Sequence, residues 1–211
     1  MERCFELCGR YRLMPASPKG FIKADPLISI NEALQWITQL ESVRGKAAAR
    51  NALRYVHPNA ESPMETVLVL ILCLPTRFGG YGLPAPMLNY RIDMTGRARE
   101  MTDKSHVRCD LCWPDANLVA EYDSDWAHTG SERIASDASR RAALTYVGMH
   151  VVTITRKQIM NVIEMDRIAK VLALQLGVSL RTRKPDWRQA QLKLRGQLLD
   201  FSDRNGFLRI S

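Results

Sequence analysis

His106–Trp126 reads HVRCDLCWPDANLVAEYDSDW, and the fold turns on how these residues pair. Val107–Trp113 and Leu118–Asp123 have the β-branched and apolar content of short strands, and the Pro114-Asp115-Ala116-Asn117 run between them is built from turn formers, so a hairpin is expected. Residues two apart in a strand share a face, which sets Glu121 and Asp123 beside Val119 on one side. If the turn keeps this register, Asp110 on the neighbouring strand stands opposite that pair, and three carboxylates come within reach of one ion. Hard divalent cations such as magnesium take carboxylate oxygens and water and leave positions open for phosphate oxygens. Such an ion can stabilise charge on a phosphate under attack and acidify a water, which suits phosphodiester hydrolysis without a covalent intermediate. A solvated hairpin edge that carries Glu121 and Asp123 outward would give the same spacing.

Working outward, Thr129 with Glu132 makes a capping box, Ala135–Val147 is helical, Gly148 fits the position after a helix end, and HVVTITR from His150 is a short apolar strand. Val162–Leu176 is an amphipathic helix stopped by Gly177. Upstream, SPMETVLVLILCLP from Ser62 sets Ser62 at an N-cap, Pro63 at the first helical position and Glu65 three residues after the cap, with an apolar body that implies burial on most sides. TRFGGYGLPAPMLNY is a Gly- and Pro-rich loop leading into a strand at Tyr90–Met94. Ser29 or Asn31 can cap a helix in which Ala33, Leu34, Ile37 and Leu40 recur at helical spacing, and Lys46–Val56 makes a second. The first 28 residues carry mixed signals. The expectation is an α/β fold: a central mixed sheet of about four strands flanked by the helices beginning near Ser62 and Thr129. It divides as an N-terminal, partly helical extension (1–60), a core (61–178) and a basic C-terminal tail (179–211).

Composition narrows the partners. Thirty Lys plus Arg against 22 Asp plus Glu give +8, which favours a polyanion such as nucleic acid or an anionic membrane surface. The longest apolar run, Val67–Pro75, is far short of the roughly 20 residues that span a bilayer, and MERCFELCGR is too charged for a signal peptide, so a cytoplasmic protein is expected. Five cysteines, an odd number, read as reduced thiols. A zinc site from Cys4, Cys8, Cys109 and Cys112 is disfavoured because strand positions three apart point to opposite faces.

The run R-C-D-L (108–111), E-Y-D (121–123), His128, S-E-R (131–133), D-A-S-R-R-A-A-L (137–144) and T-I-T-R-K-Q-I (153–159) resembles the very-short-patch-repair-endonuclease-like domains of the PD-(D/E)xK nuclease superfamily. The upstream S-P-M-E helix and the G-L-P-A-P-M-L-N loop look like that family too, so the likeness covers roughly Ser62–Ile159. It implies a restriction-endonuclease-like core, DNA as substrate with RNA as an open alternative, and magnesium or manganese as cofactor. Asp110 becomes the central metal ligand, Glu121 the second, and Glu65 a supporting acid, although Glu65 is equally explained as a capping residue.

Asp123 stands where the superfamily motif has lysine. It can join the metal shell but cannot supply the positive charge. Substitutes for that charge are His128, Arg133, Arg140, Arg141 or Lys157, with His128 and Arg141 favoured because histidine exchanges protons near neutrality. Gln158 occupies a place where related nucleases use a polar residue. Trp113 and Trp126 could stack on bases or fill core space, the latter expected for Trp113. The tail RTRKPDWRQAQLKLR could track a phosphate backbone. The resemblance also suggests a bacterial defence or repair setting, with a homodimer among the allowed assemblies. A DNA-binding module that kept the fold and lost turnover, as a regulator or antitoxin-like partner, is the other expectation; the missing lysine supports it.

Overall fold

The structure is a computed structural model that describes residues 1–123, 131–182 and 186–199, with residues 131–134 described by their backbone alone. In chain order the elements are α1 (Glu2–Cys8), β1 (Tyr11–Leu13), β2 (Phe21–Lys23), α2 (Ile30–Gln39), α3 (Lys46–Leu53), α4 (Pro63–Cys73), β3 (Met87–Asp93) and α5 (Arg97–Thr102). There follow β4 (His106–Trp113), β5 (Leu118–Asp123), α6 (Ser131–Tyr146), β6 (His150–Thr155), α7 (Arg156–Met160), α8 (Val162–Gln175) and α9 (Trp187–Leu199). Contacts group them into two units: Met1–Gly82 with the chain from Arg181 onward, and Leu83–Leu180. The helix at Pro63–Cys73, expected within a core of 61–178, belongs to the first unit.

In the first unit, α4 follows its sequence closely. The Ser62 hydroxyl accepts from the Glu65 backbone N–H at 3.2 Å, Pro63 sits in the first turn, and every residue from Pro63 to Leu72 is buried, which is why the apolar run shows no amphipathic period. The capping box at α2 forms as read, with Ser29 and Glu32 bonding each other's backbone. The opening residues, whose signals were mixed, make α1 and a two-stranded antiparallel ribbon, β1–β2.

The basic tail behaves differently from its charge. Residues 187–199 form α9, which buries Trp187, Leu194 and Leu198 and even Gln191 and Arg195. Trp187 donates its indole N–H to the Gly80 carbonyl at 2.9 Å and packs beside Tyr81. Apolar side chains at helical spacing outweigh the interleaved charges, so this part of the tail is an ordered piece of the first unit.

The second unit holds a four-stranded sheet in the order β3-β4-β5-β6. β3–β4 and β4–β5 are antiparallel and β5–β6 is parallel, so the sheet is mixed, as expected. The β4–β5 hairpin turns through a 3-10 segment at Pro114–Ala116, closed by Asn117 in the left-handed region at φ 49°. Asparagine tolerates that conformation because its short amide can bond locally. Returning from β5 to a parallel β6 requires a crossover, which α6 supplies. Ala143, Leu144 and Met149 pack with Val107, Cys109, Cys112 and Val119 of the sheet and with Ala98 of α5 in one buried cluster.

Cys109 and Cys112 correct one step of the sequence reading. Three apart in a regular strand, they should face opposite sides, yet both belong to that cluster. Strand alternation is therefore broken between them, at Asp110 and Leu111. Burial pushes both thiols up, Cys112 to about 11, with Glu121 raising them further, so both stay protonated at neutral pH.

Candidate active site

The β4–β5 ladder runs from Trp113↔Leu118 to Leu111↔Ala120 and stops there. Continued regularly it would set Asp110 opposite Glu121. Instead a carboxylate oxygen of Asp110 accepts the Tyr122 backbone N–H at 2.8 Å, a side chain standing in for the backbone acceptor where the strands part. Beyond that point β5 is held by β6, with Glu121 opposite Thr153 and Asp123 opposite Thr155. The break keeps Asp110 and Glu121 close enough to repel.

Glu121 shares its strand face with Val119, whose side chain lies in the cluster with α6, so Glu121 also looks toward that helix. Its side chain is 13% exposed and ion-pairs with Arg140 at 2.9 Å, while the same guanidinium nitrogen donates to the Arg108 carbonyl. Burial, then the Asp110 charge, push the Glu121 carboxyl up to about 7 against the opposing pull of Arg140 and of a hydrogen bond from the Cys109 thiol. Neighbouring Arg141 donates to the Thr153 hydroxyl at 3.2 Å. A cavity of about 170 Å³ opens here, lined among others by Glu121, Asp123, Asp137, Arg140, Arg141 and Thr153.

Of the residues expected from sequence, Asp110, Glu121, Asp123 and Arg141 are thus brought to the end of β5 and the facing side of α6. Asp123 is exposed at the strand end. His128, Trp126, the Thr129–Glu132 cap and the Arg133 side chain lie outside the described residues. Glu65 belongs to the other unit, and its carboxylate accepts from the Glu61 backbone N–H and the Ser62 hydroxyl, both at 2.8 Å, in a helix-capping arrangement. Gln158 is used similarly: with Thr155 it makes a capping box that starts α7, a short helix which the strand pattern HVVTITR had hidden. Lys157 is exposed on that helix. Trp113 fills core, 5% exposed, with its indole N–H on the Pro84 carbonyl.

Sequence reasoning preferred Arg141 to Arg140 and passed over Asp137. The spacing of Asp137, Arg140 and Arg141, at i, i+3 and i+4, is the signal that could have grouped them on one helix face.

Asp110 and Glu121 have the hard-oxygen chemistry that magnesium or manganese requires, and a carboxyl crowded and buried enough to resist ionising is one that a cation relieves. The set is incomplete, however: no group of three His, Cys, Asp or Glu side chains able to hold a metal ion occurs among the described residues, and Arg140 already engages Glu121.

Proteins similar to this chain include uncharacterized proteins from two strains of Mycobacterium tuberculosis, each 37% identical over 111 residues, or 53% of this chain. The match spans 36% of the length of those relatives. No family model and no solved structure matches the chain. No helix among the described residues is long and apolar enough to cross a membrane.

Proposed function

We propose that the chain is a metal-dependent endonuclease of the PD-(D/E)xK type, acting on DNA in the cytoplasm, with bacterial defence or DNA repair as its setting. The observation that carries this reading is the convergence of Asp110 and Glu121 where β4 and β5 part, beside an arginine-lined cavity at the sheet's end. Asp110 and Glu121 are the residues that would hold magnesium or manganese, with exposed Asp123 beside them. A bound ion would supply charge to the phosphate and a more acidic water. The chain's own contribution is to hold the carboxylate pair rigidly: Asp110 through the Tyr122 N–H, and Glu121 through Arg140 and Cys109. Arg140 and Arg141 offer planar, always-charged donors suited to a phosphate. The excess of positive charge agrees with a polyanionic substrate.

The test is cleavage of supercoiled, linear and single-stranded DNA, with an RNA arm, in manganese. Wild type should nick or cut DNA, and Asp110→Asn should lower the rate by at least about 100-fold while melting normally. Uncut DNA in every form, with RNA cut, would move the substrate to RNA. No cleavage of either would remove the enzyme reading for those substrates.

The Arg140–Glu121 ion pair, together with Asp123 in the lysine position, favours a second reading: a module that kept the fold, lost turnover and binds DNA as a regulator. Manganese titration separates the two, because such a module should hold DNA equally well with or without the ion and in Asp110→Asn.

A further inference from the structure

We propose that Arg140 is an internal counter-cation that sits on Glu121 until a divalent ion replaces it, and that the displaced guanidinium then serves the substrate phosphate in place of the missing lysine. This inference rests on the nuclease reading. Three observations on α6 and the sheet carry it.

First, Arg140 reaches the half of the site that matters. It pairs with Glu121 Oε1 at 2.9 Å and also takes the Arg108 carbonyl, so one guanidinium bridges β4 and β5 at the point where their ladder has failed. Arg141, next in sequence, is instead spent on Thr153. Second, an ion bound by Asp110 and Glu121 would face this guanidinium across a single carboxylate. Like charges at that separation repel strongly in a site where Glu121 is only 13% exposed. Third, Arg140 has somewhere to go. Its side chain is 30% exposed and lines the polar cavity, where Asp123 and Asp137 also lie. Released from Glu121, it can turn within the cavity on its long stem without movement of the helix. A guanidinium presents a planar fork to phosphate oxygens, the geometry of bidentate recognition. Asp123 cannot make that contact.

The experiment measures binding of Mn²⁺ alone, by the loss of the free-ion electron paramagnetic resonance signal, to wild type, Arg140→Gln, Arg141→Gln and Asp110→Asn. Arg140→Gln should bind Mn²⁺ roughly tenfold more tightly than wild type, a typical size for coupling between two ligands. It should nevertheless cut DNA more slowly at saturating Mn²⁺. A residue with a merely structural role would weaken both. Arg141→Gln should leave Mn²⁺ affinity unchanged, and Asp110→Asn should lower it. Should the glutamine variant fail to fold, Arg140→Lys carries the same test: a lysine cannot hold Glu121 and the Arg108 carbonyl together, so its Mn²⁺ affinity should exceed wild type by a smaller factor.

Equal or weaker Mn²⁺ binding in a folded Arg140 variant, beside clear binding by wild type, overturns this inference and leaves the nuclease reading standing. No Mn²⁺ binding by wild type or by either Arg140 variant overturns the metal-dependent reading itself.

Discussion

Glu121 is the residue on which most of the chemistry depends, and its pH behaviour follows from its surroundings. Folding raises its carboxyl from an ordinary value of 4.5 to about 7, chiefly by burial and then by Asp110. A raised acid binds its proton more tightly in the folded state, so the contribution favours folding at low pH and is lost as pH climbs from about 4.5 to about 7. The metal-free protein should therefore lose stability across that window, and the slope should flatten in Glu121→Gln; urea unfolding at a series of pH values reads it directly. A slope unchanged in the variant would assign the dependence to another group. Asp110 is legible in the same terms from sequence, because hairpin register sets it near Glu121. Its bond to the Tyr122 N–H was not legible, since it exists only because the ladder breaks at that residue.

At the scale of elements, capping accounts for Glu65 and Gln158. Each has the sequence position of a helix N3 residue and bonds to its own helix start. Glu65→Gln should accordingly cost about 1 kcal/mol of stability and leave the cleavage rate of folded protein intact; a large loss of rate at unchanged melting temperature would return Glu65 to the catalytic set. The G-G pair at Gly79-Gly80 is a second case. Read from sequence it marks a turn. In the structure a Cβ on Gly80 would lie 2.0 Å from the Leu74 carbonyl oxygen, and one on Gly79, at φ 90°, would lie 2.3 Å from the Ala190 carbonyl oxygen of α9. Backbone cannot yield at both places cheaply. Gly80→Ala should therefore destabilise by about 2 kcal/mol or more, measured by denaturant unfolding. The need for small residues here comes from α9 and the end of α4, both distant in sequence from at least one of the glycines.

For the whole molecule, charge is the property that composition gives without structure. A net charge of +8 should make DNA binding fall steeply with salt, with log K against log salt steeper than about −3, readable by fluorescence anisotropy in EDTA. A flat profile would argue against a polyanionic partner. Composition does not say which basic residues are available. Arg195 is buried in α9, and Arg188 stacks on Trp187 and donates to Gln191, so part of the apparent basic tail serves packing.

What the sequence by itself determined is local: the strands of the β4–β5 hairpin, the caps of α2 and α4, the helix–strand return through α6 and β6, and the pairing of Glu121 with Asp123 on one strand face. Periodicity and cap chemistry act over a few residues and are written there. Tertiary structure alone decided which arginine meets Glu121, that α9 joins the N-terminal unit, and that β4 loses its alternation between Cys109 and Cys112. Those outcomes depend on how helix faces and strand ends meet across long separations, where the packing of α6 on the sheet selects Arg140 over its neighbour.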